Sequence, residues 1–156
     1  MAHPVIPLEL RPDETFRILV TGSRNATEDH RHEIKVAIIE AVGRIRARQM
    51  SQVILVHGDE DTDNGCPGVD RLAESIVKTD LAAFNIQVEP HNARDFLPWP
   101  AAGPKRNSHM VSLGANICLG FALPGSKGTW DCAKKAADAG IPTIVRTLGA
   151  VADARL

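Results

Sequence analysis

The sequence contains few aromatic residues and no tyrosine. Phenylalanine and tryptophan together make up 4% of the 156 residues. Proteins that bind single-stranded nucleic acid without sequence preference stack the bases on aromatic side chains, and this chain offers few of them. The formal net charge is −1, so no overall basic field would attract nucleic acid or an anionic membrane. Both shortages disfavour a nucleic-acid partner.

Cysteines and long apolar runs are also scarce. The sequence has three cysteines, Cys66, Cys118 and Cys132, and no C-x-x-C motif. An odd number of cysteines without this motif is typical of a reduced intracellular protein. No apolar run approaches the length of a transmembrane span. Residues 1–13 carry three prolines and lack the apolar core of a signal peptide. We therefore expect a cytoplasmic protein with no membrane partner.

Two kinds of apolar segment alternate along the chain. Short continuous apolar runs predict buried strands at residues 17–21, 53–56, 86–89, 117–121 and 141–145. The intervening segments predict helices, first at residues 27–49 with Thr27 as the N-cap, and then at 69–84, 105–113 and 131–139. Continuous apolar strands that alternate with helices are typical of parallel sheets covered on both faces. The sequence therefore predicts a three-layer α/β/α fold with a mainly parallel sheet of about five strands.

The length of the chain suits one domain with a buried core. Its prolines predict an extended N-terminal arm over residues 1–15. The domain is then expected over residues 16–147, followed by a tail over residues 148–156. A proline-rich loop at residues 91–104 carries Trp99, which can anchor the core or stack on a base.

A glycine-rich segment, Pro124-Gly-Ser-Lys-Gly-Thr-Trp130, lies between the fourth strand and the helix that follows. Glycines let the backbone approach an anion, and free N–H groups at a helix N-terminus attract it. Ser126 and Thr129 add hydroxyls, and Lys127 adds charge. The segment is not a P-loop, because residues 120–127 read G-x-x-x-x-G-S-K. It therefore predicts a phosphate site, and a tight turn without a ligand is the alternative.

Two further unusual turns also follow strands. Thr21-Gly-Ser-Arg24 ends the first strand and His57-Gly58 ends the second. In open parallel sheets, ligands bind outside the carboxyl ends of the strands, near the switch in strand order. We therefore expect the three turns to converge on one crevice.

These segments resemble the SLOG superfamily, named for the Smf/DprA and LOG proteins, and within it the small YspA-like group. The resemblance covers most of residues 17–146 and implies a Rossmann-like sheet, a site for a nucleotide-derived ligand, and self-association into homo-oligomers. The matching pieces are Ile18-Leu-Val-Thr-Gly-Ser-Arg24, Val56-His-Gly58, Gly68-Val-Asp-Arg-Leu-Ala73, Ala102-Gly-Pro-Lys-Arg-Asn107 with Met110, and Gly125-Ser-Lys-Gly-Thr-Trp130.

Members of this superfamily differ in what they do. Lonely Guy enzymes hydrolyse the N-glycosidic bond of nucleoside 5′-monophosphates, other members bind ADP-ribose-like signalling nucleotides, and the DprA branch binds single-stranded DNA. The enzymes carry R-K-x-x-M and P-G-G-x-G-T-x-x-E, and the resemblance aligns Arg106 with their arginine and Cys132 with their glutamate. Cleavage of the bond needs a carboxylate. Asp131 is adjacent, but one residue along a helix is a rotation of about 100°, so it faces elsewhere unless the first turn is distorted.

The turns and the resemblance together define the candidate residues. Amides of the glycine-rich segment would hold a phosphate, Arg106 and Arg24 would neutralise it, and Asp70 would face the ribose. Solvation of Arg24, dipole compensation by Asp70 and simple packing of His57 are the alternatives. Arg106 and Asp131 are the catalytic candidates. The candidate ligand contacts are Gly22, Ser23, Arg24, His57, Gly58, Gly68, Asp70, Arg106, Asn107, Pro124, Gly125, Ser126, Lys127, Gly128 and Thr129.

The sequence predicts neither a metal site nor a cofactor. The acidic loop Asp59–Asp63 lacks the EF-hand pattern, and the histidines lack metal-ligand spacing. The first hypothesis is a binding or sensing domain for a nucleotide-derived small molecule. The second is a phosphoribohydrolase-type N-glycosidase that acts on nucleoside 5′-monophosphates. The third, which charge and composition disfavour, is a single-stranded nucleic-acid adaptor.

Overall fold

The computed structural model describes residues 15–46, 52–62 and 64–149. The described residues form five strands and four α-helices. The strands are β1 Thr15–Gly22, β2 Gln52–His57, β3 Gln87–Pro90, β4 Ile117–Ala122 and β5 Thr143–Thr147, and the helices are α1 Arg31–Arg46, α2 Gly68–Lys78, α3 Ala102–Ser112 and α4 Lys127–Asp138.

The five strands form one parallel sheet in the order β3-β2-β1-β4-β5. In the centre of the sheet, Ile18 pairs with Leu55 on one side and with Ile117 on the other. The predicted parallel sheet of about five strands is confirmed. Because the chain moves outward from β1 in both directions, the strand order switches between β1 and β4, where a crevice opens in folds of this kind.

Side chains that alternate along β1 pack into two separate core layers. Phe16, Ile18 and Val20 pack against residues of α1 and α2, whereas Leu19 packs on the opposite face with Met110 of α3 and with residues of α4. Successive residues of a strand point to opposite faces, so an uninterrupted apolar strand needs helices on both sides. The three-layer α/β/α arrangement is therefore confirmed.

Thr27 starts the first helical segment, as predicted. Its Oγ1 accepts a hydrogen bond from the N–H of Asp29 (3.3 Å), and its own N–H donates to Nδ1 of His30 (3.0 Å). This reciprocal capping box satisfies donors that the first turn leaves free. A 3-10 turn, Glu28–His30, leads directly into α1. The predicted end of this helix, at residue 49, lies outside the described residues.

The second helix is shorter than predicted. We expected it over residues 69–84, but α2 ends at Lys78 and a separate 3-10 turn covers Ala82–Phe84. Thr79 is the C-cap: its N–H donates to the carbonyl of Ser75 (2.9 Å), and its hydroxyl donates to the same carbonyl (2.7 Å). The next residue, Asp80, carries a negative charge that is unfavourable at a helix C-terminus and binds Arg31 instead (3.0 Å).

The third and fourth helices begin earlier than predicted. Helix α3 starts at Ala102 rather than at residue 105, because proline is tolerated within a first helical turn, as at Pro104. Helix α4 starts at Lys127 rather than at Asp131. We had assigned Gly128 to a loop, but it lies in the first turn of α4, and only residues 124–126 form the turn that precedes it.

The ends of the chain are described only in part. Residues 1–14, which hold most of the predicted arm, lie outside the described residues, and Thr15 already belongs to β1. Leu148 and Gly149, which we had assigned to the tail, contact the domain: Leu148 is buried in the core, and the N–H of Gly149 donates to Glu33 (2.9 Å). Among the described helices, none combines the length and apolarity needed to cross a membrane.

Candidate functional site

A cleft of about 450 Å³ opens at the carboxyl ends of β1 and β4, between α3 and the N-terminus of α4. This is the position at which the three unusual turns were expected to meet. We call it the cleft. The predicted residues that line it are Gly22, Ser23, Arg24, Gly58, Asp70, Arg106, Asn107, Gly125, Ser126, Lys127, Gly128, Thr129 and Asp131.

Three predicted ligand contacts, His57, Gly68 and Pro124, do not line the cleft. The imidazole of His57 is fully buried: its Nε2 lies 2.7 Å from a carboxylate oxygen of Glu74, and its Nδ1 accepts the N–H of Asp59 (2.9 Å). Both ring nitrogens are therefore occupied, which matches the alternative interpretation of His57 as a packed residue. Gly68 begins α2 and donates its N–H to the carbonyl of Ala26 (3.0 Å).

Helix α4 presents its N-terminus to the cleft. The N–H of Lys127 donates to the carbonyl of Gly125 (2.8 Å), and the N–H of Trp130 donates to that of Ser126 (3.3 Å). Within the described part of the chain, the N–H groups of Gly128 and Thr129 have no acceptor and the ammonium of Lys127 has no ion-pair partner. Free N–H groups, a helix dipole and an unpaired cation together attract an anion.

Two buried oxygens beside the cleft lack a hydrogen-bond partner among the described residues, Oδ1 of Asp70 and Oγ1 of Thr129. Asp70 is 6% exposed and Thr129 is 2% exposed, and both residues line the cleft. A buried polar atom without a partner destabilises a fold by about 1–3 kcal/mol. A ligand that donates a hydrogen bond to Oδ1 of Asp70 and accepts one from the hydroxyl of Thr129 would satisfy both atoms.

The other carboxylate oxygen of Asp70 is engaged. Its Oδ2 accepts the backbone N–H of Glu60 (3.1 Å). Burial raises the pKa of the Asp70 carboxyl above its ordinary value, and the nearby guanidinium of Arg106 opposes that shift. The group is therefore held away from water yet adjoins a space that a ligand can enter.

Arg106 is held in place by its neighbours and is 8% exposed. Its Nη1 donates to the carbonyls of Gly58 and His91, and its Nε donates to Oδ1 of Asn107 (2.9 Å). A Cβ at position 58 would lie 2.5 Å from Nη1. Glycine at this position therefore allows the guanidinium to reach the end of β2, which explains why His57-Gly58 ends that strand.

Asn107 connects Arg106 to Asp131. Its Nδ2 donates to Oδ2 of Asp131 (3.0 Å), which also accepts from the ammonium of Lys135 (2.9 Å). The sequence left two directions open for the side chain of Asp131. Helix α4 begins at Lys127, so Asp131 lies one turn above Gly128, and it lines the cleft.

Cys132 points in the other direction. It is fully buried and packs with Cys118 and Met110 in the core layer on that side of the sheet. The position that the resemblance aligns with the glutamate of the Lonely Guy enzymes thus belongs to the core and does not line the cleft.

The main residue that the sequence analysis missed is Glu60. It lines the cleft, and its carboxylate lies between two arginines: Oε1 is 3.5 Å from Nη2 of Arg24, and Oε2 is 3.3 Å from Nη2 of Arg106. We had treated its acidic loop as solvated. Its position in the sequence could have identified it, because it follows His57 and Gly58, the two candidate ligand contacts at the end of β2.

Two further aspartates of the acidic loop are paired with arginines. Asp61 lies 2.8 Å from Arg94, and Asp59 and Asp61 both lie 3.6 Å from Arg71. Throughout residues 15–46, 52–62 and 64–149, no three His, Cys, Asp or Glu side chains are grouped so that they could hold a metal ion.

Comparison with known proteins gives one informative match. No protein-family model matches the chain, and no solved structure matches it significantly. The chain is 33% identical to the Gene 61 protein of Mycobacterium phage D29 over 129 residues, which cover 82% of this chain and 94% of the phage protein. The chain therefore belongs to the family of the Gene 61 protein of Mycobacterium phage D29.

Proposed function

We propose that the cleft binds a nucleotide-derived small molecule, such as a nucleoside phosphate or an ADP-ribose-like compound, and that the domain is a binding or sensing module. The observation that carries this proposal is the N-terminus of α4. There the N–H groups of Gly128 and Thr129, the buried Oγ1 of Thr129 and the ammonium of Lys127 adjoin the same cleft without partners among the described residues. A phosphate supplies acceptors and charge for all of them.

The ribose side of the ligand is assigned to Asp70. Its unpartnered Oδ1 accepts a hydrogen bond from a hydroxyl group, as a ribose offers. The volume of the cleft, about 450 Å³, lies within the range of small-molecule sites. The resemblance of the five sequence pieces to the SLOG superfamily supports the same ligand class.

The proposal is tested by a thermal-shift screen with AMP, NAD, ADP-ribose and cyclic ADP-ribose isomers. A ligand at 100 times its dissociation constant adds about 2.7 kcal/mol of stability, which is a rise in Tm of roughly 8 °C for a chain of this size. Thr129→Val should reduce the shift, because valine keeps the shape but removes Oγ1. Thr147→Val, at an exposed position outside the cleft, is the matched control. Absence of a shift with every compound contradicts the proposal.

A phosphoribohydrolase-type N-glycosidase is the second candidate, and one observation favours it. Asp131 lines the cleft, as does the buried carboxyl of Asp70, whose pKa is raised by burial. Two carboxyl groups are what hydrolysis of a glycosidic bond uses. It ranks second because Asp131 already accepts hydrogen bonds from Asn107 and Lys135.

The enzyme hypothesis has its own experiment. Nucleoside 5′-monophosphates are incubated with the protein, and free base is measured by chromatography. Release that disappears in Asp131→Asn and in Arg106→Gln establishes hydrolysis, and no release from any monophosphate rejects it.

A further inference from the structure

Glu60 lies between the two cleft arginines that the sequence analysis assigned to the charge of the ligand. One of its carboxylate oxygens lies 3.5 Å from Arg24 and the other 3.3 Å from Arg106. These are the two arginines that the sequence assigned to phosphate. In the structure, each of them already has an anionic partner on this chain.

The two arginines differ in how firmly they are held. Arg106 is fixed by the carbonyls of Gly58 and His91 and by Asn107, so it cannot turn toward a ligand elsewhere. The side chain of Arg24 is 57% exposed, and its polar partners among the described residues are Glu60 and the carbonyl of residue 61. An anion that reaches Arg106 must therefore come to the place that Glu60 now holds.

Among the partners of the two arginines, the Glu60 carboxylate is the one that a ligand can displace. Its contacts of 3.3 and 3.5 Å are longer than the 2.7–2.9 Å or so of a strong charge-assisted hydrogen bond. Its side chain is 28% exposed, so water is available to solvate it when it leaves the arginines. Its backbone N–H is held separately by Asp70 (3.1 Å), so the side chain can move without the loop.

We propose that Glu60 is a specificity-determining residue that competes with the anionic group of the ligand for Arg24 and Arg106. Displacement of Glu60 accompanies binding, which lowers the affinity for every anion. A phosphate can replace the Glu60 carboxylate because its charge is shared by both arginines, whereas a neutral nucleoside brings no charge. The inference rests on the proposed function only for the identity of the ligand, because the competition applies to any phosphate.

The test uses inorganic phosphate as the probe and measures its dissociation constant by titration calorimetry. In Glu60→Gln, the side chain keeps its shape and loses its charge, so phosphate should bind several-fold tighter, by up to about fivefold for each partly exposed ion pair that is removed. Glu60→Ala is the second variant, in case glutamine stays bound to the arginines. The matched control is Asp61→Asn, which removes one charge from the same loop but pairs with Arg94 and does not line the cleft.

Three results would overturn the competition. These are unchanged or weaker phosphate binding in both Glu60 variants, an equal gain of affinity in Asp61→Asn, and no phosphate binding to any of the proteins. The nucleotide screen is read separately. If nucleotides bind wild-type protein and Glu60→Gln equally well, the proposed function is supported and the competition is rejected. If Glu60→Gln binds phosphate more tightly but no nucleotide binds, the competition is supported and the proposed function is rejected.

Discussion

At the scale of single residues, the buried carboxylate of Asp70 beside the cleft destabilises the folded protein. Its carboxylate is buried, one oxygen lacks a partner among the described residues, and burial raises its pKa. A group whose pKa is raised in the folded state contributes stability at low pH, and that contribution is lost as the pH rises through the folded-state pKa. The proposed hydrogen bond from a ligand hydroxyl to Asp70 would offset this cost.

We predict that Asp70→Asn raises the free energy of unfolding at pH 8 by about 1 kcal/mol, because the charged form no longer has to be buried. Asparagine still accepts the N–H of Glu60 through its amide oxygen. The gain should shrink toward pH 4, which denaturant titrations at the two pH values measure. Nucleotide binding should weaken in the same variant, and a variant that is less stable at pH 8 would refute this account of Asp70.

At the scale of elements, the junction of β1 with α2 positions the cleft. Gly22 ends β1, and a Cβ there would overlap the side chain of Val69 in the first turn of α2. The strand end and the helix N-terminus can therefore approach closely, and the N–H of Val69 donates to the carbonyl of Ser23 (3.0 Å). The same contact places Asp70 beside the cleft.

Gly22→Ala should lower the free energy of unfolding by about 2 kcal/mol, because overpacking forces the strand and the helix apart. Gly43→Ala is the matched control: it lies in α1, is exposed, and has no atom within 4 Å of the added Cβ. That substitution should stabilise the protein by about 0.5–1 kcal/mol through helix propensity. Equal effects of the two substitutions in urea titrations would exclude close packing as the reason for Gly22.

The elements also show what could be predicted from the sequence. Apolar runs identified the three central strands β1, β2 and β4, whereas the edge strands β3 and β5 are only partly buried and begin one and two residues later than predicted. Thr27 marked the start of the first helical segment because capping depends on local chemistry. The predicted starts of α3 and α4 are too late because proline and glycine are typical of loops, although Pro104 and Gly128 are both tolerated in a first helical turn. Asp131 was predicted as a catalytic candidate, but the direction of its side chain could not be predicted without the start of α4. Glu60 was missed because its role arises from two arginines far away in the sequence.

At the scale of the whole molecule, an ion pair crosses the sheet. Arg17 of β1 binds Glu89 of β3 through two hydrogen bonds, of 3.0 and 2.8 Å, and β2 lies between these strands. Arg17, together with the hydrogen bond from His91, lowers the pKa of Glu89 to about 2. A pKa that is lowered in the folded state contributes stability above the unfolded-state value, and that stability is lost as the pH falls.

We therefore predict that the free energy of unfolding decreases as the pH falls from about 4.5 to about 2. Glu89→Gln should make this decrease smaller by about 1 kcal/mol, a value that allows for solvent screening of a partly exposed ion pair. Denaturant titrations at pH 7 and pH 3 measure it. Asp138→Asn is the control, because its pair with Lys134 is exposed on the surface of α4. A Glu89→Gln protein that keeps the full pH dependence would show that this ion pair is not its source.

The central claim, that the N-terminus of α4 holds the phosphate of a nucleotide, is tested most directly by titration calorimetry. The nucleotide with the largest thermal shift and its dephosphorylated counterpart are titrated into the wild-type protein and into Thr129→Val. We predict that the nucleotide binds the wild-type protein at least about tenfold tighter than its counterpart does. Thr129→Val should remove most of that difference, because a hydrogen bond to a charged group is lost. Equal binding of the two compounds to the wild-type protein, or a nucleotide affinity unchanged in Thr129→Val, would contradict the claim.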